Sequence, residues 1–97
     1  MSRRRRQQHD EFLILRELNG HMMLTPRDIG SNTGVRGVRL GRALENLEQR
    51  GHIHTVSMID RHQYPLELTG PGHDRLRAIE PWHNQSWRKR CFGPPPP

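Results

Sequence analysis

The stretch TPRDIGSNTGVRGVRLGRALENLEQRG, residues 25–51, decides the fold. Its beginning has the start signals of a short helix. Thr25 is a candidate N-cap, Pro26 stands at the first helical position, and Asp28 can complete a capping box. Gly34 then supplies a turn. The sequence therefore predicts a short capped helix followed by a turn that contains glycine.

A longer helix is predicted after this turn. Leu40, Leu44 and Leu47 fall on one face at helical spacing, and Ala43 lies beside them. Gly51 follows the last of these turns and is the expected C-cap. This helix therefore has an apolar side that can pack on the rest of the domain.

The first half of this longer helix is basic on its other side. Arg39 and Arg42 lie off the apolar stripe, Val38 lies on the exposed side, and Arg36 stands at the helix start. A short helix, a turn and a longer helix of this kind are typical of the helix-turn-helix, whose second helix enters the DNA major groove. The alternative for these arginines is a solvated helix face.

Two further elements are predicted before the helix-turn-helix. Residues 9–21, HDEFLILRELNGH, have apolar residues at helical spacing, with Asp10 as the candidate N-cap and Asn19 and Gly20 as the end signal. Residues 21–25, HMMLT, are expected to form a short extended piece.

A two-stranded wing is predicted after the helix-turn-helix. Residues 52–58, HIHTVSM, and 63–68, QYPLEL, are both β-like, and Pro65 indicates an edge strand. The predicted fold is therefore α+β, a winged helix-turn-helix in the order helix, short strand, helix, helix, two-stranded wing, helix.

The last element, TGPGHDRLRAIEP, is predicted as a helix that Thr69 caps and that stops before Pro81. The ends of the chain lack apolar periodicity. We therefore expect a disordered basic arm at 1–9, a winged-helix DNA-binding domain at 10–80, and a C-terminal tail at 81–97 that is available to a dimer interface.

The charge of the chain points to a polyanionic partner. The formal net charge is +6, and fifteen of the sixteen basic residues are arginine, with Lys89 the exception. Arginine suits bidentate contacts to phosphate and guanine, although the codon bias of a GC-rich genome is an alternative explanation. The single cysteine, Cys91, suits a reducing cytoplasm, and no apolar run is long enough to span a membrane.

Three motifs resemble those of the MarR and PadR kind of winged helix-turn-helix regulators. The sequence LTPRDIGSNTGV fits the pattern T-x-x-[DE]-I-[AG]-x-x-x-G, and LENLEQRGHI fits L-E-x-R-G-x-[IV]. The third, YPLELTGPGHDRL, is a stretched form of Y-x-L-T-x-x-G. The chain is also similar to short archaeal and viral winged-helix repressors. It departs from the family pattern at Gly37 and Gly41, where helix formers are usual.

The resemblance implies a transcriptional regulator that binds double-stranded DNA, as a dimeric repressor with the second helix of the motif in the major groove. It also implies that a wing tip carrying Arg61 and His62 enters the minor groove. The basic run near the start is either a DNA-grasping arm or a disordered tail. The expected DNA contacts are Arg36, Val38, Arg39, Arg42, Arg61, His62, Arg3, Arg4, Arg5 and Arg6.

The histidines favour a protonatable wing over a metal site. His52 and His54 lie on one strand face, with His62 across the hairpin, but zinc usually needs three or four close ligands. DNA affinity is then expected to rise as the pH falls. No metal, cofactor or small-molecule ligand is expected, and no nucleophile elbow, phosphate loop or carboxylate pair indicates an enzyme.

A homodimer is expected through the first helix and the segment after residue 80. Phe12, Leu13 and Ile14 provide more apolar surface than one core stripe needs, and Trp82 and Trp87 have no obvious core position. The competing function is a winged-helix protein-interaction or structural module that binds nucleic acid nonspecifically through its basic tails.

Overall fold

The computed structural model describes residues 3–21, 23–56 and 65–84, and for 82–84 the backbone alone. The order of its elements confirms the predicted α+β winged helix-turn-helix. In chain order, the elements are helices α1 (Arg3–Asn19), α2 (Pro26–Thr33) and α3 (Gly37–Gln49), strands β1 (Ile53–Thr55) and β2 (Leu66–Leu68), and helix α4 (Gly70–Asn84).

The strands form a small antiparallel sheet. Ile53 of β1 lies opposite Leu68 of β2, and Thr55 lies opposite Leu66. On its other side Leu66 pairs with Leu24, with N···O distances of 3.1 and 2.8 Å, which confirms the short extended piece before α2. The prediction that Pro65 marks an edge strand is wrong, because β2 pairs with β1 on one side and with Leu24 on the other. Pro65 precedes β2 and contributes only its carbonyl, so its missing N–H does not interrupt the pairing.

The core is built around α1, which packs against α2, α3, α4 and β2. Phe12 and Ile14 of α1 are 1% and 0% exposed, and Leu44 and Leu47 of α3 pack in the same cluster. The predicted surplus of apolar surface on the first helix is therefore wrong for Phe12 and Ile14, because both side chains are used within the chain. The other core side chains are Leu15, Leu18, Leu24, Ile29, Ala43, Ile53, Leu66, Leu76 and Ile79.

The helix α2 begins and ends as predicted. Thr25 Oγ1 accepts a hydrogen bond from the Asp28 amide at 3.2 Å, and the Asp28 carboxylate accepts one from the Thr25 amide at 3.4 Å. Pro26 occupies the first turn, and Gly34 ends the helix with a φ of 80°. The capping box is complete, so this helix is determined by residues close together in sequence.

The outer ends of α1 and α4 differ from the prediction. Helical backbone begins at Arg3, so the arm expected to be disordered is helical over residues 3–9. Arginine is a good helix former, and Asp10 lies within the helix as a buried carboxylate, so it is not the N-cap. At the other end α4 continues past Pro81 to Asn84. The ring of an exposed proline near the helix end removes only one late hydrogen bond.

The end of α3 and the start of α4 are joined by a compact junction. The His52 amide donates to the Leu47 carbonyl at 2.9 Å, which closes α3. Thr69 then caps α4, because its Oγ1 accepts from the Gly72 amide at 3.0 Å, and the same hydroxyl donates to the Gly51 carbonyl at 2.6 Å. A Cβ at residue 72 would collide with the His52 carbonyl oxygen, so this approach requires glycine.

Among the described helices, none has the length and apolar character needed to cross a bilayer.

Candidate nucleic-acid interface

The first half of α3 presents an exposed surface. Arg36 is the N-cap residue and makes no side-chain capping bond, and Val38 is 70% exposed. Gly37 has a φ of 62°, a backbone conformation that other residues rarely adopt. The predicted exposure of Arg36, Val38 and Arg42 is confirmed.

Arg42 points away from the core with no hydrogen bond or ion pair inside the described part of the chain. Glu45, three residues further along α3, is close enough in helical spacing to pair with Arg42. The Glu45 carboxylate accepts instead from Gln49, at 3.4 Å. The guanidinium of Arg42 is therefore available to an external acceptor.

Arg39 is bound to Asp10 of α1. Its Nε lies 3.1 Å from Asp10 Oδ2 and a terminal guanidinium nitrogen lies 2.7 Å from Oδ1, so the pair is bidentate. The side chain of Asp10 is 3% exposed and that of Arg39 is 54% exposed. Hydrogen bonding to Asp10 and its negative charge raise the pKa of Arg39. The structure thus gives Arg39 a partner that the sequence analysis did not assign.

A second polar contact joins the same two helices. The Asn46 amide of α3 donates to both carboxylate oxygens of Glu11, at 3.0 and 3.1 Å, and Gln7 donates to Glu11 Oε2 at 3.1 Å. The sequence analysis missed this contact as well. A signal was present, because Asp10 and Glu11 stand four residues before buried Ile14 and Leu15, and therefore on the packed side of α1.

The basic residues at the start of α1 lie near the other end of α3. Arg3 and Arg4 line a groove of about 430 Å³ together with Arg50. Arg50 and Arg36 are fourteen residues apart along α3, which corresponds to about 20 Å of helix. The remaining lining residues of the groove are Gln7, Gln8, Glu11 and Asn46. The structure therefore separates these arginines from the exposed first half of α3.

The histidines in the described residues do not form one cluster. Burial, followed by the positive charges of Arg75 and Arg50, lowers the pKa of His52, so neutral imidazole is favoured there. The predicted rise of DNA affinity with falling pH concerns the DNA-bound chain and stays a prediction. His54 Nε2 lies 2.6 Å from Glu67 Oε1 across the sheet. The predicted wing-tip residues Arg61 and His62 lie outside the described residues.

In the described ranges, no three His, Cys, Asp or Glu side chains are grouped as a metal site requires.

Comparison with known proteins identifies the fold. No protein-family model and no curated protein matches the sequence, but solved structures do. BpsR of Bordetella bronchiseptica has a TM-score of 0.71 at 19% identity, over 90% of this chain and 63% of that one. A MarR-family regulator from Silicibacter pomeroyi has a TM-score of 0.70 at 22% identity, over 91% and 60%. Staphylococcus aureus MepR bound to DNA has a TM-score of 0.62 at 22% identity, over 86% and 69%.

The chain therefore has the winged-helix fold of MarR-type transcriptional regulators. It spans about three fifths of the length of BpsR and of the Silicibacter pomeroyi protein. The Silicibacter pomeroyi protein is a transcriptional regulator of the MarR family. The DNA binding of BpsR is regulated by 6-hydroxynicotinic acid, and MepR is seen in complex with DNA.

Proposed function

We propose that this chain is a transcriptional regulator that recognises a double-stranded DNA sequence with the first half of α3. The observation that supports this most directly is the exposure of Arg36, Val38 and Arg42 on one stretch of the helix that follows the turn. In a helix-turn-helix, the early residues of the second helix are the ones that contact base edges. The MarR-type fold and the net charge of +6 support the same function.

Each exposed side chain suits a different contact with DNA. The Arg42 guanidinium can donate two hydrogen bonds to one guanine, and the Val38 side chain can contact a thymine methyl group. Arg36, at the helix start, suits a backbone phosphate. Arg61 and His62 complete the proposed interface from the wing. The run from Arg3 to Arg6 adds sequence-independent attraction.

The direct test is a selection of bound duplexes from random DNA, followed by substitution of Arg42. We expect Arg42→Ala to weaken binding to the selected duplex by about 1–3 kcal/mol and binding to random DNA by much less. Arg77→Ala is the matched control, because Arg77 lies on α4 with a side chain that is 80% exposed. Equal losses of Arg42→Ala on selected and random DNA would contradict the assignment of α3 as the recognition helix.

Arg36 is tested by the salt dependence of binding. Arg36→Ala should weaken binding to both kinds of DNA and reduce the slope of log K against log salt by about one unit. An unchanged slope would remove Arg36 from the phosphate contacts.

We further propose that the chain acts as a dimeric repressor. Two-fold symmetry would set the two recognition helices about 34 Å apart, which is one turn of DNA. A selected sequence with two inverted half-sites at this spacing would support the dimer. Sedimentation that shows a monomer at tens of micromolar, both free and bound to this DNA, would contradict it.

The predicted absence of a small-molecule ligand is in tension with BpsR, whose DNA binding 6-hydroxynicotinic acid regulates. The DNA affinity of this chain in the presence and absence of 6-hydroxynicotinic acid tests the prediction. We expect no change, and a shift in affinity would contradict it.

The groove lined by Arg3, Arg4 and Arg50 favours a second candidate function, nonspecific binding of nucleic acid by a structural or protein-interaction module. In that case Arg50→Ala should weaken binding to all duplexes alike, and the selection should enrich no sequence.

A further inference from the structure

The first half of α3 has few apolar contacts to hold it. Among residues 36–42, Leu40 is partly buried and the other six are exposed. The N-cap Arg36 makes no side-chain bond to the start of the helix. The bidentate pair between Arg39 and Asp10 therefore supplies a large part of the attachment of this half to α1.

We propose that Asp10 and Arg39 form a positioning pair that sets the first half of α3 for DNA reading, and that Arg39 keeps this pair when DNA is bound. The inference rests on the proposed function, because it concerns how the same helix is held. Arg39, which the sequence predicts as a DNA contact, then acts as a positioning residue.

The burial of Asp10 explains why the pair should persist on DNA. The side chain of Asp10 is 3% exposed, so a guanidinium that left it for a base would leave a buried carboxylate without its cation. A guanidinium that left this enclosed carboxylate would give up two charge-assisted hydrogen bonds, and this cost opposes the gain from a bidentate contact to guanine. Arg42, three residues further on, can reach a base without breaking any contact within the described residues.

The geometry of the pair also suits positioning. Two parallel hydrogen bonds fix the plane of the guanidinium as well as its distance, which a single contact does not. Arg39 lies between Arg36 and Arg42 in the same half of α3. The contact between Glu11 and Asn46, two helical turns beyond Arg39, fixes the second half to the same helix. Together the two contacts define the rotation of α3 about its own axis.

The two roles of Arg39 predict opposite results for Asp10→Asn. If Arg39 reads a base, loss of the Asp10 charge releases the guanidinium, and sequence discrimination is unchanged or improved. If the pair positions α3, loss of either charge disturbs the same contact, and discrimination falls. The loss in the double variant then does not exceed the loss in either single variant.

The experiment is a double-mutant cycle on the full chain. The duplex selected by the wild-type protein and a scrambled duplex of equal composition are titrated with wild type, Asp10→Asn, Arg39→Gln and the double variant. The readout is the Kd for the scrambled duplex divided by the Kd for the selected duplex. A change in the folded fraction affects both Kd values alike and cancels in this ratio. We expect each single variant and the double variant to lower this ratio by about tenfold, with no further loss in the double variant.

The exposed pair of Asp74 and Arg77 on α4 gives the control. Its N···O distance is 3.8 Å and both side chains are 80% exposed, so Arg77→Gln should leave the ratio unchanged. If Arg39→Gln alone does not fold, Asp10→Asn decides the question, because the two roles predict opposite directions for it.

Three outcomes would overturn the inference. An unchanged or higher ratio in Asp10→Asn, or losses that add in the double variant, would restore Arg39 as a reading residue and leave the proposed function intact. A selection in which the wild-type protein enriches no sequence would overturn the proposed function and this inference together.

Discussion

The two halves of α3 differ in what holds them. Residues 43–49 contain Ala43, Leu44 and Leu47, which are 0%, 8% and 1% exposed, and Asn46 donates to the buried Glu11. Residues 37–42 have one partly buried leucine and the ion pair of Arg39. One half, the anchored half, is therefore held by the core, and the other, the open half, is largely exposed.

This difference separates stability from recognition along one helix. Substitutions in the anchored half should lower the free energy of unfolding, because they open cavities or leave buried polar groups unpaired. Substitutions of the exposed side chains of Val38 and Arg42 in the open half should have small effects on unfolding and large effects on the proposed DNA binding.

The largest expected contrast is between Leu47 and Val38. Leu47→Ala should lower the free energy of unfolding by about 2–5 kcal/mol, since it leaves a cavity in the core. Val38→Ala removes an exposed side chain and should change it by about 0.5 kcal/mol or less. Urea denaturation of both variants measures the difference. Similar losses in the two variants would show that the halves are not distinct.

The next contrast concerns polar contacts. Asn46→Ala removes two hydrogen bonds from Glu11, which is 7% exposed, and should lower the free energy of unfolding by about 1–3 kcal/mol. Gln49→Ala in the same half removes only an exposed contact to Glu45 and is the matched control. If urea denaturation gives the same loss in the free energy of unfolding for both variants, the buried contact of Asn46 contributes no more to stability than the surface contact of Gln49.

The two glycines of the open half should respond with opposite signs. Gly37 has a φ of 62°, so Gly37→Ala should destabilise the fold by about 1–2 kcal/mol. Gly41 has helical backbone with free space where a Cβ would lie, so Gly41→Ala should stabilise the fold by about 1 kcal/mol. Thermal unfolding of the two variants tests this. Stabilisation by Gly37→Ala would contradict the requirement for a left-handed residue.

The smallest expected effect is a pH dependence at the end of the anchored half. Burial and the charges of Arg75 and Arg50 lower the pKa of His52 in the folded chain, so the unfolded chain binds this proton more readily. The contribution of His52 is therefore fully present above the unfolded pKa of about 6.5 and is lost as the pH falls through the lower folded pKa. His52→Gln should reduce the fall in Tm between pH 7.5 and 5.5.

The exposed His73 provides the control for this measurement. His73→Gln should leave the fall in Tm as it is in the wild type. If the Tm of His52→Gln falls between pH 7.5 and 5.5 by as much as the Tm of the wild type, groups other than His52 cause this fall.

The sequence predicts those parts of the fold whose signals are local. Thr25, Pro26 and Asp28 lie within four residues, and the capping box they predict is present. The apolar stripe of α3 is likewise read from helical spacing, and it correctly predicts which residues of α3 are exposed.

The parts that were not predicted depend on distant partners. Aspartate is a favoured N-cap residue, which is why Asp10 is predicted to cap the first helix. Its partner is instead Arg39, 29 residues away, and Asp10 lies inside α1. Helical spacing from Ile14 places Asp10 on the packed side of α1, but it does not identify the distant Arg39 as its partner. Proline commonly ends a helix, yet α4 continues through Pro81. The DNA contact expected of Arg39 follows from its position off the apolar stripe of α3, and helical spacing within α3 carries no information about the Asp10 carboxylate.

The junction between α3 and α4 limits how this sequence can diverge. Gly72 lies against the His52 carbonyl, and that carbonyl also accepts from the Thr69 amide at 3.0 Å, so neither group can move without breaking a cap. Any descendant of this chain that keeps the junction must keep glycine at residue 72. Val38 and Arg42 of α3 have no such restriction. If α3 reads DNA as proposed, related chains can therefore acquire new DNA preferences at these two residues while residue 72 stays invariant.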